Sequence, residues 1–241
     1  MYCHIKNYEI RYTDVDLSDN LKLSSLLSLM EESACLSAEE LGFGYSALKP
    51  KNFGFVLANW YIDLNRAIKL GDVLTIHTWP VKPKRLIILR DFELYVGDEK
   101  VGVATSRWCL VDLNDFKLLP SSAVFREDME YNDFRSIDVS AVKIPAAEYM
   151  DYSYTKCVKY SDYDHYNHAN NTKYADFLFD AFAIDEIKDK SYSNVRITYV
   201  KQSKEGDKID FYKATLSDGS RVVEGRVGDE RRVQMHVKFY D

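Results

Sequence analysis

The stretch LSSLLSLMEESACLSAEEL at 23–41 sets Leu23, Leu26, Leu27, Met30, Ala34 and Leu41 close to a 3.6-residue period. That spacing predicts a helix with a broad apolar face. Tyr174, Phe177, Leu178, Ala181 and Phe182 repeat the spacing late in the chain. After each helix the pattern turns strand-like, first over 54–65, 72–81, 86–96 and 100–113, then over 194–203, 207–216, 220–227 and 231–240. Gly71-Asp72, Gly97-Asp98, Asp218-Gly219 and Gly228-Asp229 punctuate these runs where hairpin turns are needed. The chain therefore predicts two similar units, each an apolar helix followed by about four antiparallel strands. A helix that apolar must be covered, and a curved sheet wrapped around it does so. Two such sheets joined edge to edge would also hide an exposed strand.

The order of short matches points to an internal duplication. YTDVD at 12–16 reappears as YSDYD at 160–164, 148 residues on; LGDVLTI at 70–76 reappears as EGDKIDF at 205–211, 135 on; GDE recurs at 97–99 and 228–230, 131 on. The fall from 148 to 135 leaves 13 extra residues in the first unit, and GFGYSALKPKNFGF at 42–55 can form a lid or pocket wall there. The expected boundaries are 1–120 for the first unit, 121–150 for a connector of mixed polarity and 151–241 for the second unit.

With 241 residues, 46% of them hydrophobic and 29% charged, the chain can bury a substantial core as an ordinary globular protein. There is no apolar run of about 18 residues, so no membrane span is expected. The opening MYCHIKNYEIRY has no basic stretch leading into an apolar one, so no signal peptide is expected. Cys3, Cys35, Cys109 and Cys157 lie far apart without a CxxC pair, which excludes a zinc or disulfide framework and points to a reduced, cytoplasmic setting. No metal site and no cofactor is expected. A net charge of −6 disfavours nucleic acid as a partner.

Candidate chemistry gathers in YSDYDHYNHANNTKY at 160–174, just before the second helix. The matching stretch after 12–16 reads LSDNLKLSSLL and holds no histidine. Asp16 aligns with Asp164 and Asn20 with His168, so the chemistry falls in one copy. Asp14 and Asp162 occur in both copies, which suggests a structural task. His168 is the leading candidate because imidazole titrates near neutral pH. Asp164 can orient His168 or take a proton from water, and it can also be a turn aspartate bonded to its own backbone. Asn170 and Asn171 stand where a helix N-cap sits. Amides of the turn 165–171 can hold a carbonyl oxygen at the start of the helix. His165 reads as structural or exposed.

A D-x-D-x-x-x-H-x-N-N turn before a helix wrapped by antiparallel sheet resembles the hotdog thioesterases. The resemblance is closer to the acyl-ACP thioesterases of plants and bacteria, which are double hotdogs. SDYDHYNHANNTKY at 161–174 is similar to the family's D-x-D-x-N-x-H-V-N-N-x-K-Y signature, RYTDVD and LKLSSLLSLMEESA to its opening, and ITYVKQSKEGD at 197–207 to its L-x-Y-x-x-E-C/V-x-x-G-D segment. The resemblance implies an α+β tandem double hotdog, each half a long helix wrapped by a curved antiparallel β-sheet. It implies a thioesterase that releases fatty acid from acyl carrier protein by attack of water, in fatty acid biosynthesis. The family's catalytic Asp and His fall on Asp164 and His168, and its glutamate falls on Gln202. Its asparagine falls on Tyr166, and the cysteine of plant members falls on Ser203.

An amide cannot act as a base, but Gln202 can position a water; Asp164 then becomes the base by elimination, with His168 as helper. Ser203 has no adjacent base to make it a nucleophile, and Cys157 reads as core. By the same resemblance the acyl chain lies in the first half near Trp60 and Trp79, with Tyr166, Asn170 and Asn171 at the substrate. The acidic carrier protein would dock on the basic KPKR cluster through Lys82, Lys84 and Arg85. A homodimer is compatible with this reading. Three alternatives stand beside it: an acyl-binding double hotdog without turnover, an acyl-CoA thioesterase, and a hydratase of the same fold. The hydratase pattern D-x-N-P-x-H needs a proline and an aspartate five residues before the histidine, whereas Asp164 lies four before His168.

Overall fold

The computed structural model describes residues 2–126, 129, 131–132, 134–137, 143–164 and 167–240. Among them, four α-helices and eleven strands are found: α1 (Leu23–Glu40), α2 (Tyr45–Leu48), α3 (Lys173–Phe179) and α4 (Ile184–Ile187), with β1 (His4–Glu9), β2 (Phe53–Leu64), β3 (Val73–Pro80), β4 (Ile88–Val96), β5 (Glu99–Asp112), β6 (Leu118–Leu119), β7 (Asp151–Cys157), β8 (Tyr192–Tyr199), β9 (Lys208–Thr215), β10 (Arg221–Val227) and β11 (Glu230–Phe239).

The strands form one sheet in the order β1-β3-β4-β5-β2-β8-β11-β10-β9-β7, with β6 added to β5. That order reads the same way from either edge, because each strand of the first half has its counterpart at the mirrored place in the second. The halves join through the antiparallel pair β2 and β8, where Tyr61 faces Arg196 and Asn59 faces Thr198. Tyr61 and Arg196 are 135 residues apart, which is the repeat offset of this region, so a pseudo-two-fold axis runs through that pair. The Arg196 guanidinium lies over the Tyr61 ring at 5.3 Å. The Asn59 amide donates to the Thr198 hydroxyl at 2.9 Å across the same seam.

The apolar stripe of α1 buries Leu23, Leu26, Leu27, Met30 and Ala34 in a core that both halves share with Trp60, Phe92, Phe177, Leu178 and Phe211. Each such aliphatic side chain contributes about 1.5–3 kcal/mol on burial. A smaller cluster forms where the extra residues of the first half fold over the sheet: Phe43 and Leu48 pack with Ala38, Ile88, Leu110 and the connector's Phe125. The Phe43 and Phe125 rings lie 4.4 Å apart. The connector is also clamped by the buried Asp91 carboxylate, which accepts from Arg135 at 2.7 and 3.2 Å, from the Ser136 amide at 3.0 Å and from Thr105 at 2.7 Å.

Two features depart from the sequence pattern. α3 has 7 residues against 18 in α1, and Ala181 and Phe182 lie beyond its end. β7 supplies the reason: Tyr154 donates its hydroxyl to the Phe177 carbonyl at 2.6 Å, and Ser153 donates to the Ala181 carbonyl at 2.7 Å. These strand hydroxyls satisfy carbonyls at the helix end, and Glu186 then accepts the Ala183 amide at 2.8 Å to start α4. The second departure is that β1 and β7 form the two outer edges of the sheet, beyond the strands expected from periodicity.

Candidate active site

Residues 10–22 and the described residues of 158–170 share a set of matching hydrogen bonds. The Asp14 carboxylate accepts the Arg11 amide at 3.0 Å, and the Asp162 carboxylate accepts the Lys159 amide at 2.8 Å. Their carbonyls take the amides of Lys22 at 2.9 Å and Asn170 at 2.8 Å. The amides of Asp16 and Asp164 donate to the carbonyls of Asn20 at 2.8 Å and His168 at 3.1 Å. Asp19 and Asn167 both turn the chain with a positive φ, 60° and 64°, a conformation that Asp and Asn tolerate. The amides of Leu21 and Ala169 donate to the carbonyls of Ile68 at 2.8 Å and Ser203 at 3.1 Å. Asp14 and Asp162 thus hold the same turn in both copies, and the 202–203 segment is stitched to the turn that carries His168.

Side chains separate the copies. Asp16 accepts the amides of Ser18 at 2.8 Å and Asn20 at 3.0 Å through Oδ1. In the second copy, Oδ2 of Asp164 lies 3.5 Å from Nδ1 of His168, and both side chains are largely buried. Nδ1 also stands 3.1 Å from the Ala169 carbonyl. Both neighbours are acceptors, so these partners assign the proton of the neutral ring to Nδ1 and the lone pair to Nε2.

The turn amides are mostly committed. Those of Ala169, Asn170 and Lys173 donate within the fold, and that of Thr172 donates to the Asn170 side chain at 2.8 Å. Asn170 is therefore a capping residue, since its oxygen also takes the Thr172 hydroxyl at 2.9 Å. Asn171 is held differently: its carbonyl accepts the hydroxyl of half-buried Tyr199 at 3.0 Å. Gln202 is half-buried beside the turn, and Ser203 is fully buried. Tyr166 and His165 lie outside the described residues. Trp60 sits in the core with its ring 5.2 Å from Phe92, and Trp79 donates to the Phe134 carbonyl at 3.1 Å. An acyl chain that reaches either indole must part packed side chains. Lys82, Lys84 and Arg85 are exposed in the β3–β4 turn, whose Lys84 and Ile87 exchange backbone hydrogen bonds at 3.0 Å.

Sequence reasoning missed Glu31. It stands on α1 beside Met30, and the acidic pair at 31–32 gives no sign of which member turns inward. Oε1 of Glu31 is shut off from solvent and meets no hydrogen-bond partner among the described residues. Burial, with the Asp164 charge adding to it, pushes the Glu31 carboxyl up to about 8. Burial and then the Glu31 charge raise the Tyr199 phenol well above its ordinary value. One carboxyl from the first half is therefore within electrostatic reach of Asp164 and Tyr199 in the second.

A cavity of about 260 Å³ opens on the other side of the pseudo-two-fold axis, lined by Asp16, Leu23 and Phe179 among others. It is the counterpart of the histidine-bearing site and not that site itself. Among the described residues, none of the groups that could hold a metal ion is found, and no helix is long and apolar enough to cross a membrane.

The profile of the acyl-ACP thioesterase N-terminal domain matches residues 2–122, and that of the acyl-ACP thioesterase C-terminal domain matches 146–241. The chain belongs to the acyl-ACP thioesterase family. An acyl-ACP thioesterase from Bacteroides thetaiotaomicron superposes with a TM-score of 0.88 at 25% identity, covering 99% of this chain and 98% of that one. The 12:0-ACP thioesterase of Umbellularia californica gives 0.82 at 14% identity over 99% and 97% of the two chains, a likeness of fold. The fold of this acyl-ACP thioesterase family member is thus the tandem double hotdog. A palmitoyl-acyl carrier protein thioesterase of Gossypium hirsutum is 24% identical over 210 residues, 80% of this chain and 50% of that protein. The chain spans between half and two thirds of the length of the curated relatives it matches, 50% and 65%.

Proposed function

We propose that this chain hydrolyses the thioester of acyl-ACP to free fatty acid and carrier protein, as a step of fatty acid biosynthesis. The observation that carries the reading is the 3.5 Å approach of Asp164 to His168 in the one turn, of two built alike, that has a histidine. Asp164 takes a proton from the attacking water, and the Nδ1–H of His168 supports the carboxylate. Gln202, tied to the turn through Ser203, orients that water with its amide group. The developing oxyanion is met by the Asn171 amide, which the fold leaves uncommitted among the described residues; a preorganised donor of this kind is worth roughly 10²–10³-fold in rate.

The carrier protein docks on Lys82, Lys84 and Arg85. Strand register supports the placement: β8 ends at Tyr199 toward Gln202, and following β2, β5 and β4 across the sheet from that end leads to the β3–β4 turn. Exposed Leu86 and Ile87 add an apolar tip to that basic turn.

The test is thiol release from acyl-ACP and acyl-coenzyme A of graded chain length. Turnover on acyl-ACP above that on acyl-coenzyme A supports the reading. Folded protein with no turnover on any thioester overturns it in favour of acyl binding without hydrolysis.

A further inference from the structure

We infer that Glu31 is a second catalytic carboxyl of this site, which reaches the C-terminal turn from the N-terminal half and gives its proton to the departing thiolate. The inference rests on the hydrolase reading above. It starts from an anomaly: a carboxyl oxygen sealed from water with no hydrogen-bond partner among the described residues. Burying a polar group unpaired is costly, and native folds leave few such groups without a reason.

The duplication shows where the group points. In the first copy, Asp16, Leu23 and Phe179 line a single cavity. Advancing Asp16 and Leu23 by 148 residues gives Asp164 and Asn171, and moving Phe179 back by 148 gives Glu31. The pseudo-two-fold axis therefore sets Glu31 opposite Asp164 and Asn171, as Phe179 is set opposite Asp16 and Leu23. α1 and α3 pack against each other at the centre of this arrangement. The comparison also shows selectivity. Where the turn has His168, the opposing helix presents an acid; where the turn has Asn20, it presents phenylalanine.

Among the described residues, the groups that couple with Glu31 include Asp164 from the turn, Tyr199 from β8 and Cys35 from its own helix. Burial, with the Asp164 charge adding to it, pushes the Glu31 carboxyl up to about 8, so Glu31 is the proton donor and Asp164 the base. A buried carboxyl that keeps its proton can act as the acid in a site where a second carboxyl acts as the base. Water forms the new C–O bond and passes a proton to Asp164. The C–S bond breaks, its electron pair leaves with sulfur, and the thiolate takes the Glu31 proton. Asp164 returns its proton to Glu31, so that one thioester and one water become one carboxylic acid and one thiol.

The experiment compares two esters of the same acyl group, one with an alkyl thiol and one with thiophenol, whose thiolate leaves without protonation. Wild type and the E31Q and E31D variants are assayed between pH 5.5 and 9.5, with melting curves as the control for folding. E31Q should lose about 10²-fold in kcat on the alkyl thioester and under about threefold on the thiophenyl ester. E31D should recover part of the loss. In wild type the rate on the alkyl thioester should fall above pH 8, a limb absent with the thiophenyl ester; this can be read even if E31Q does not fold. Equal losses on both esters, or E31Q matching wild type while wild type hydrolyses both, would overturn the role of Glu31 alone. Wild type that hydrolyses neither ester removes the hydrolase reading and this proposal with it.

Discussion

Oδ2 of Asp164 lies 3.5 Å from Nδ1 of His168, while Asp16, its counterpart in the other copy, turns its carboxylate to the amides of Ser18 and Asn20. One backbone turn carries a contact between two ionisable groups, and its twin carries a local cap. The difference separates chemistry from architecture and can be measured.

Asp164→Asn and His168→Ala should each reduce turnover on acyl thioesters by about 10²–10⁴-fold with folding intact. Asp16→Asn should leave kcat within threefold and lower stability by about 1 kcal/mol, the usual scale for a lost side chain-to-backbone bond. Steady-state rates and urea midpoints for the three variants decide the matter. A residual rate within tenfold for either site variant would remove that residue from proton transfer.

Gln202→Glu places a carboxylate in the segment stitched to Ala169 through the Ser203 carbonyl. Activity should be kept or raised if the water sits where a carboxylate there can reach it. A folded but inactive variant would mean that water is activated elsewhere in the turn.

Glu31 makes stability depend on pH. Its carboxyl rises from 4.5 to about 8 on folding, so the folded state keeps a proton that the unfolded chain releases above pH 4.5. The stability associated with that proton is full below about 4.5 and is lost as pH rises toward 8. The loss between pH 4.5 and 7 is about 3 kcal/mol at 1.36 kcal/mol per pH unit. Glu31→Gln should flatten this slope and make the protein relatively more stable at pH 8 than at pH 5. Urea denaturation of both proteins at those two pH values reads the effect directly; parallel slopes would contradict it.

Charge reversal at the β3–β4 turn, Lys84→Glu with Arg85→Glu, should raise KM for acyl-ACP about tenfold and leave KM for acyl-coenzyme A nearly unchanged. The KM of wild type for acyl-ACP should rise with salt, since exposed charges are screened beyond roughly 8–10 Å at physiological ionic strength. Equal effects on both substrates would place docking on another surface.

Much of this protein is legible in its sequence because the information is local. The period of Leu23, Leu26, Leu27 and Met30 fixes α1, turn residues such as Gly71-Asp72 and Gly228-Asp229 separate the strands, and YTDVD with YSDYD marks the duplication. The same text names Asp164 and His168, since they share one tight turn. It fails where neighbours come from distant places in the chain. α3 stops at Phe179, where hydroxyls of β7 take the carbonyls of Phe177 and, past the helix end, of Ala181, and β7 is drawn there by pairing with β9. Nothing in the sequence marks Glu31 out from Glu32 until the pseudo-two-fold axis through Tyr61 and Arg196 brings α1 across to the other copy's turn. Spacing along the chain sets what each residue can form with its neighbours. Burial and charge depend on what arrives from the other half, and only the folded double sheet decides that.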